Sequence, residues 1–158
     1  MKTEFPLTYQ LGQTMKLVRF KMMTKFKENN IDLSLEHYVV LHYITKNTAS
    51  TQKDLANHFL RDKSIVTRQI NSLIDLGYVE RSQDEGDKRK KKLKLTQTGI
   101  ELFGFMKKLS AEVSSELLNG ITPEELNHFE NVISKIQLNT GFMECLSLTE
   151  DKNRKIQK

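Results

Sequence analysis

Ser64, Thr67, Arg68, Gln69 and Asn71 bring hydroxyl, guanidinium and amide groups together within eight residues near the middle of the chain. Such donors and acceptors read base edges when a helix lies in the major groove of DNA, which is wide enough to admit one. The bland alternative is a solvated helix face. A second concentration follows at once: Lys88, Arg89, Lys90, Lys91, Lys92 and Lys94 stand against Asp84, Glu85 and Asp87. An ordinary solubilising hairpin interleaves its signs more evenly, and an excess of positive charge on a protruding loop suits phosphates or the negative minor groove of A·T-rich DNA. Other chemistry has less support. Glu125 and His128 have the spacing of one helical carboxylate and imidazole pair, but the second copy that a di-iron site needs is missing. Asp54 and His58, one turn apart, lack the further Cys or His of a zinc site. There is no nucleophile elbow and no phosphate-cradling Gly-rich loop, so no catalytic residue, metal or cofactor is expected. Cys145 reads as an incidental thiol, with redox sensing as the alternative.

The surrounding segments must position these groups. Leu7, Leu11, Met15, Val18, Met22 and Phe26 recur at three or four residues, one apolar stripe on a helix of about six turns. A terminal helix cannot bury such a stripe on itself, so it packs on the rest of the chain or on a second copy. Ser34 can cap a second helix running to about Thr45, with Leu33 and Tyr38 placed as a hydrophobic staple. Thr51 can cap a short third helix to about Leu60, with Asp54 at the capping-box position. Asp62 can cap a fourth, whose inward stripe is Val66, Ile70, Leu73 and Leu76 and whose left-handed stop is Gly77. Lys63, Ser64, Thr67, Arg68 and Asn71 are then left facing outward. Residues 78–81 and 92–95 read as two antiparallel strands around a charged loop from Gln83 to Lys91. Thr96 caps a fifth helix carrying Leu102, Phe105 or Met106, Leu109, Val113 and Leu117 and ending at Asn119 and Gly120. Thr122, Pro123 and Glu125 mark a sixth, with a stripe of Leu126, Phe129, Ile133 and Ile136 that stops near Gly141. From Phe142 the periodicity fails, and a short helical turn followed by disorder is expected.

Composition agrees with this picture. Two Pro and seven Gly in 158 residues favour long helices and rule against an all-β sandwich. Twenty-five Lys and Arg against twenty Asp and Glu leave a net charge of +5, which suits a polyanionic partner. A lone cysteine, no signal-peptide core and no apolar run of membrane-spanning length point to a soluble protein in the reducing cytoplasm, with no membrane partner. The fold expected is mainly α with a small β wing: a winged helix-turn-helix with N- and C-terminal dimerisation helices.

The run from Asp84 through Asp87 to Arg89, followed by Leu95, Thr96 and Gly99, resembles the wing and wing-to-helix signature of MarR-type transcriptional regulators. Leu55 and Ala56, the run Ser64 to Arg68, and the run Leu73 to Arg81 are similar to that family's helix-turn-helix and first wing strand. The resemblance implies a single domain over residues 5–141, with the helix-turn-helix at 51–77, the wing at 78–96, dimerisation helices at 5–28 and 97–141, and a tail at 142–158. It also implies a homodimer that presents two lobes to a pseudo-palindromic operator, acting as a repressor released by a small ligand or other signal. By the same analogy Arg89 enters the minor groove and Asp87 orients it by a charge-assisted pair. The expected DNA-contacting set is Thr51, Lys63, Ser64, Thr67, Arg68, Gln69, Asn71, Asp87, Arg89 and Lys91. An effector pocket would involve Phe20, Met23, Tyr38 or His42, although residues of these types are more often core. The alternatives are a winged-helix module that binds protein, which needs an apolar outward face on the fourth helix, and a small helical metal protein.

Overall fold

In the computed structural model, which describes residues 5–47, 51–59, 63–83 and 91–141, six helices surround one two-stranded sheet. The elements are α1 (Leu7–Glu28), α2 (Leu35–Lys46), α3 (Gln52–His58), α4 (Lys63–Asp75), β1 (Val79–Gln83), β2 (Lys91–Leu95), α5 (Gln97–Leu117) and α6 (Pro123–Asn139). Asp62, Leu60, Asp87, Arg89, Cys145 and the tail from Phe142 lie outside the described residues.

Side-chain caps start most of these helices, as the sequence predicts. Thr51, Thr96 and Thr122 accept hydrogen bonds from the backbone N–H three residues on, and Asp54 and Glu125 close capping boxes with the first and last of them. At α2 the reciprocal partner of Ser34 is an unforeseen one: the Ser34 N–H donates to Nδ1 of His37 at 3.1 Å. That acceptor must be unprotonated, and burial already holds His37 below the usual imidazole range against the opposing charge of Glu36. A depressed imidazole contributes stability that is fully present above its unfolded value near 6.5 and lost as pH falls below it. Resistance of the wild type to thermal unfolding is therefore expected to fall as the pH drops from 7 to 5.5, and His37→Gln, a neutral capping-box residue, should remove up to about 1 kcal/mol of that loss. Equal pH slopes in the two proteins would contradict this role.

The core is built from α1 to α5 and the sheet. Phe26, Leu41, Leu55, Val66, Ile70, Leu73, Leu93, Met106 and Val113 are fully buried, and α1 packs along α5 while α2 lies on α4, α5 and β2. Two ion pairs, Lys21 to Glu116 at 2.8 Å and Lys25 to Glu112 at 3.0 Å, run along the outside of the α1–α5 seam. β1 and β2 pair antiparallel with Val79 opposite Leu95 and Gln83 opposite Lys91. The strands are offset from the expected ones: β1 begins at Val79, with the Tyr78 carbonyl accepting from the Thr96 N–H in the same register, and pairing continues outward to Gln83 and Lys91. Gly77 adopts φ +76°, and the N–H of Tyr78 closes back on the Leu73 carbonyl, the predicted left-handed stop of α4.

The apolar stripes are where expectation and structure part. Leu76 was placed inward but is 53% exposed, because the helix ends at Asp75 and the turn to β1 carries it out of register with Leu73. Of the six-residue stripe on α1 only Met22 and Phe26 are buried; Leu7 and Met15 lie open. Phe105 and Leu117 on α5 are also exposed, and α6 has no buried residue in the single chain, its Phe129 being 54% exposed. These stripes have helical periodicity but no partner within one copy.

Candidate nucleic-acid interface

α3 and α4 form the helix-turn-helix, and the sheet follows as the wing. With buried Val66, Ile70 and Leu73 fixing the inner side of α4, a rotation of 100° per residue turns Ser64, Arg68 and Asn71 to the opposite side, with Thr67 on its flank and Lys63 exposed in the first turn beside it. These five, with Ser72, Asp75 and Leu76, line one open groove along the helix. The side chains of Lys63 and Arg68 form no hydrogen bond or ion pair among the described residues, so two cationic groups stand beside the groove. Gln69 is not part of this face: it is half-buried and lines a small cavity with Arg19, Leu35, Glu36, Val39, Val40 and Phe59. Its position on α4, about 160° from the centre of the polar side, explains the separation.

Two of the outward groups are held from other elements. Thr67 Oγ1 donates to the Lys63 carbonyl at 2.6 Å and accepts from Gln52 Nε2 at the start of α3. The same hydroxyl thus ties α3 to α4. Asn71 Oδ1 accepts from an Arg81 guanidinium N–H at 2.6 Å. Neither Gln52 nor Arg81 was singled out from the sequence. Alternation along β1 offered a signal for Arg81, since it shares the sheet face of buried Val79, the face turned toward α4. Gln52 and Thr67 are fifteen residues apart in different helices, a pairing that no local periodicity encodes.

Thr51 sits at the junction of α3 and the wing. Its hydroxyl and N–H both reach Asp54 Oδ2 at 2.7 Å, and its backbone forms an isolated antiparallel bridge with Lys92 of β2. On the wing, Lys91 is exposed at the outer end of β2. Lys94, part of the basic run, is paired across the strands with Glu80 at 2.9 Å, so its charge is partly offset locally. Asp87 and Arg89 are outside the described residues.

The competing chemical candidates have structural employment. Glu125 accepts from the Thr122 N–H and hydroxyl at 2.8 and 2.9 Å, and these bonds, the backbone one foremost, hold its carboxyl below the usual range. Asp54 closes the Thr51 cap, and the ring of His58 lies against Tyr43 with centroids 4.5 Å apart. Among the described residues no three His, Cys, Asp or Glu side chains gather as a metal site, and no helix is long and apolar enough to cross a membrane. Of the four residues considered for an effector pocket, Tyr38 and His42 stack on Phe103 of α5, at 5.7 and 5.8 Å between centroids, while Met23 is half-buried and Phe20 is 72% exposed.

A short capped helix, a second helix with a polar outer side and an antiparallel hairpin bridged back to the first define a winged helix-turn-helix domain flanked by long helices. Residues 33–91 match the model of the MarR family, the family that the wing motif resembles. Solved structures agree on the whole architecture. The crystal structure of MarR is 23% identical, with a TM-score of 0.75 over 91% of this chain and 97% of that one. An S. aureus MepR–DNA complex is 22% identical, with a TM-score of 0.76 over 86% of this chain and 99% of that one. A MarR family transcriptional regulator from Listeria monocytogenes, solved with a 26mer DNA, is 21% identical, with a TM-score of 0.75 over 93% and 96%.

Proposed function

We propose that this protein is a sequence-specific DNA-binding transcriptional regulator that acts as a homodimer. The observation that carries the reading is the outer side of α4, where Lys63, Ser64, Thr67, Arg68 and Asn71 line one groove beside the wing and its Lys91. The polar, cationic character of that side disfavours a protein-binding module, which would need an apolar one. Solved relatives of the same fold, MepR and the Listeria regulator, are complexed with DNA. In this reading α4 enters the major groove and the wing reaches the minor groove, a contact for which the family resemblance singles out Arg89, oriented by Asp87. Thr51 anchors the wing to α3, Lys63 and Lys91 meet phosphates, and Ser64, Thr67, Arg68 and Asn71 face base edges. Gln69, turned into its own cavity, is left out of the contact set.

The dimer is supported by the open apolar sides of α1, α5 and α6, which form the dimerisation segments at residues 5–28 and 97–141. Two copies place two α4 helices on half-sites about one helical turn apart, so the operator is pseudo-palindromic. Repression is the proposed outcome. A small ligand or other signal that favours a different lobe spacing releases the DNA, and a few kcal/mol of differential binding suffices. Such a protein works in the cytoplasm, with no catalytic residue assigned.

Selection of duplexes from a randomised library, followed by anisotropy titration of wild type and Arg68→Ala, tests the reading. The expected result is one enriched sequence bound at least ~10³ tighter than random DNA. Arg68→Ala should cost about 1–3 kcal/mol on that sequence with reduced discrimination. A library from which no sequence is enriched would overturn the proposal.

A further inference from the structure

Asn71 and Arg81 come from different elements, and their hydrogen bond has a direction that chemistry alone fixes. A guanidinium has only N–H donors, so the Asn71 atom 2.6 Å from it must be the carbonyl oxygen and the amide cannot be turned the other way. Arg81 is carried to this place by the wing. Val79 and Leu93 bury the sheet face turned toward α4, and Arg81, two residues beyond Val79 and opposite Leu93 in the register, extends from the same face to the rim of α4. Glu80 points to the other face, where it is taken by Lys94, and leaves the guanidinium to Asn71.

Asn71 in turn lines the groove of α4 together with Thr67 and Arg68. With the oxygen anchored, Nδ2 is the end left to the groove, and it donates to nothing among the described residues. An unanchored Asn in the major groove pairs bidentately with adenine, accepting from N6 and donating to N7. Holding the oxygen toward Arg81 by a charge-assisted bond takes one of its two lone pairs and fixes its direction, so the donating half is the one favoured for the bases.

We propose that Arg81 is a positioning residue that makes Asn71 a one-ended donor, so that each half-site is read at one position for an acceptor edge, guanine N7 and O6, in preference to adenine. The inference rests on the proposed DNA-binding function and deepens it to a base preference. It also gives the wing a part in sequence reading beyond its tip: the strand sets the polarity of a side chain on the helix.

The experiment uses full-length protein and the enriched duplex of the library selection, with each purine replaced in turn by the other purine or by its 7-deaza analogue. Wild type, Arg81→Ala, Asn71→Ala and the double variant are titrated on every duplex, with thermal unfolding as a check on folding. For the wild type, one guanine per half-site should be sensitive to 7-deaza substitution by about five- to tenfold, on the scale of one base contact. Arg81→Ala should erase or reverse the preference for guanine over adenine at that position, while in the Asn71→Ala background the Arg81 substitution should change nothing there. If Arg81→Ala weakens operator and random DNA alike, and equally with or without Asn71, Arg81 is a phosphate contact and the inference falls while the regulator reading stands. If the wild type has no enriched sequence, the regulator reading itself falls, and this inference with it.

Discussion

Replacing Gly99 by Ala is expected to destabilise the fold by about 3 kcal/mol, the upper range of overpacking costs. A Cβ at this position would sit 2.0 Å from the carbonyl oxygen of Tyr78 and 2.9 Å from its carbonyl carbon. The obstacle is backbone, held in place by the N–H of Thr96, which donates to the same oxygen at 3.1 Å. No rotamer change relieves such a clash; α5 must move off the start of β1 or the hydrogen bond must break. Urea unfolding of the two proteins checks this, and a loss under about 1 kcal/mol would mean that the approach of α5 to the wing is looser than the structure has it. The glycine that closes the wing-to-helix motif therefore has a steric cause in this chain. Its φ is ordinary, and the close approach rather than a left-handed backbone excludes a side chain.

The second large effect is expected on α6. Phe129→Glu combined with Val132→Glu puts two charges on the open side of α6, where these residues, three apart and on one helix face, are 54% and 46% exposed in the single chain. If that side is the seam between two copies, each carboxylate must be desolvated against an apolar partner, and the dimer should dissociate at micromolar concentration in sedimentation equilibrium. Operator affinity should fall by about a hundredfold or more, because linked half-sites gain on the order of 10²–10⁴ from acting together. Binding to an isolated half-site should be little changed. A double variant that stays dimeric and keeps its operator affinity would move the seam elsewhere.

The reach of the sequence differed from element to element for identifiable reasons. Caps and stops are local chemistry, so Thr51 with Asp54, Thr122 with Glu125, and Gly77 were legible from a few neighbouring residues. The family motif covered the wing and fixed the order of elements, and the outward set on α4 followed from its helical period. Gln69 was misplaced because it was grouped by residue type; only the buried positions Val66, Ile70 and Leu73 tell which side of α4 is free. Leu76 was placed inward by a period that ends one residue too early for it. Gln52 and Arg81 were invisible for a different reason: each is defined by a bond to another element, and the distance in sequence says nothing about it. The stripes of α1 and α6 were legible as apolar but not as to what covers them, because periodicity is the same for a helix facing its own core and one facing a second copy.

Thr96 joins three elements within a single residue. Its hydroxyl donates to the Gly77 carbonyl at 2.6 Å and accepts from the Gly99 N–H at 3.0 Å, while its own N–H donates to Tyr78. The end of α4, the start of the wing and the first turn of α5 are thus pinned at one pivot, and the lever on the DNA side is α4 itself. At 1.5 Å per residue its 13 residues give an arm of roughly 20 Å, so a tilt of about 10° at the pivot carries the far end by about 3 Å, close to the ~3.4 Å step between base pairs. In the proposed dimer, two such arms moving in opposite senses would shift the reading frame by about two steps, so a small rotation at this pivot would be enough to put both helices out of phase with the proposed operator.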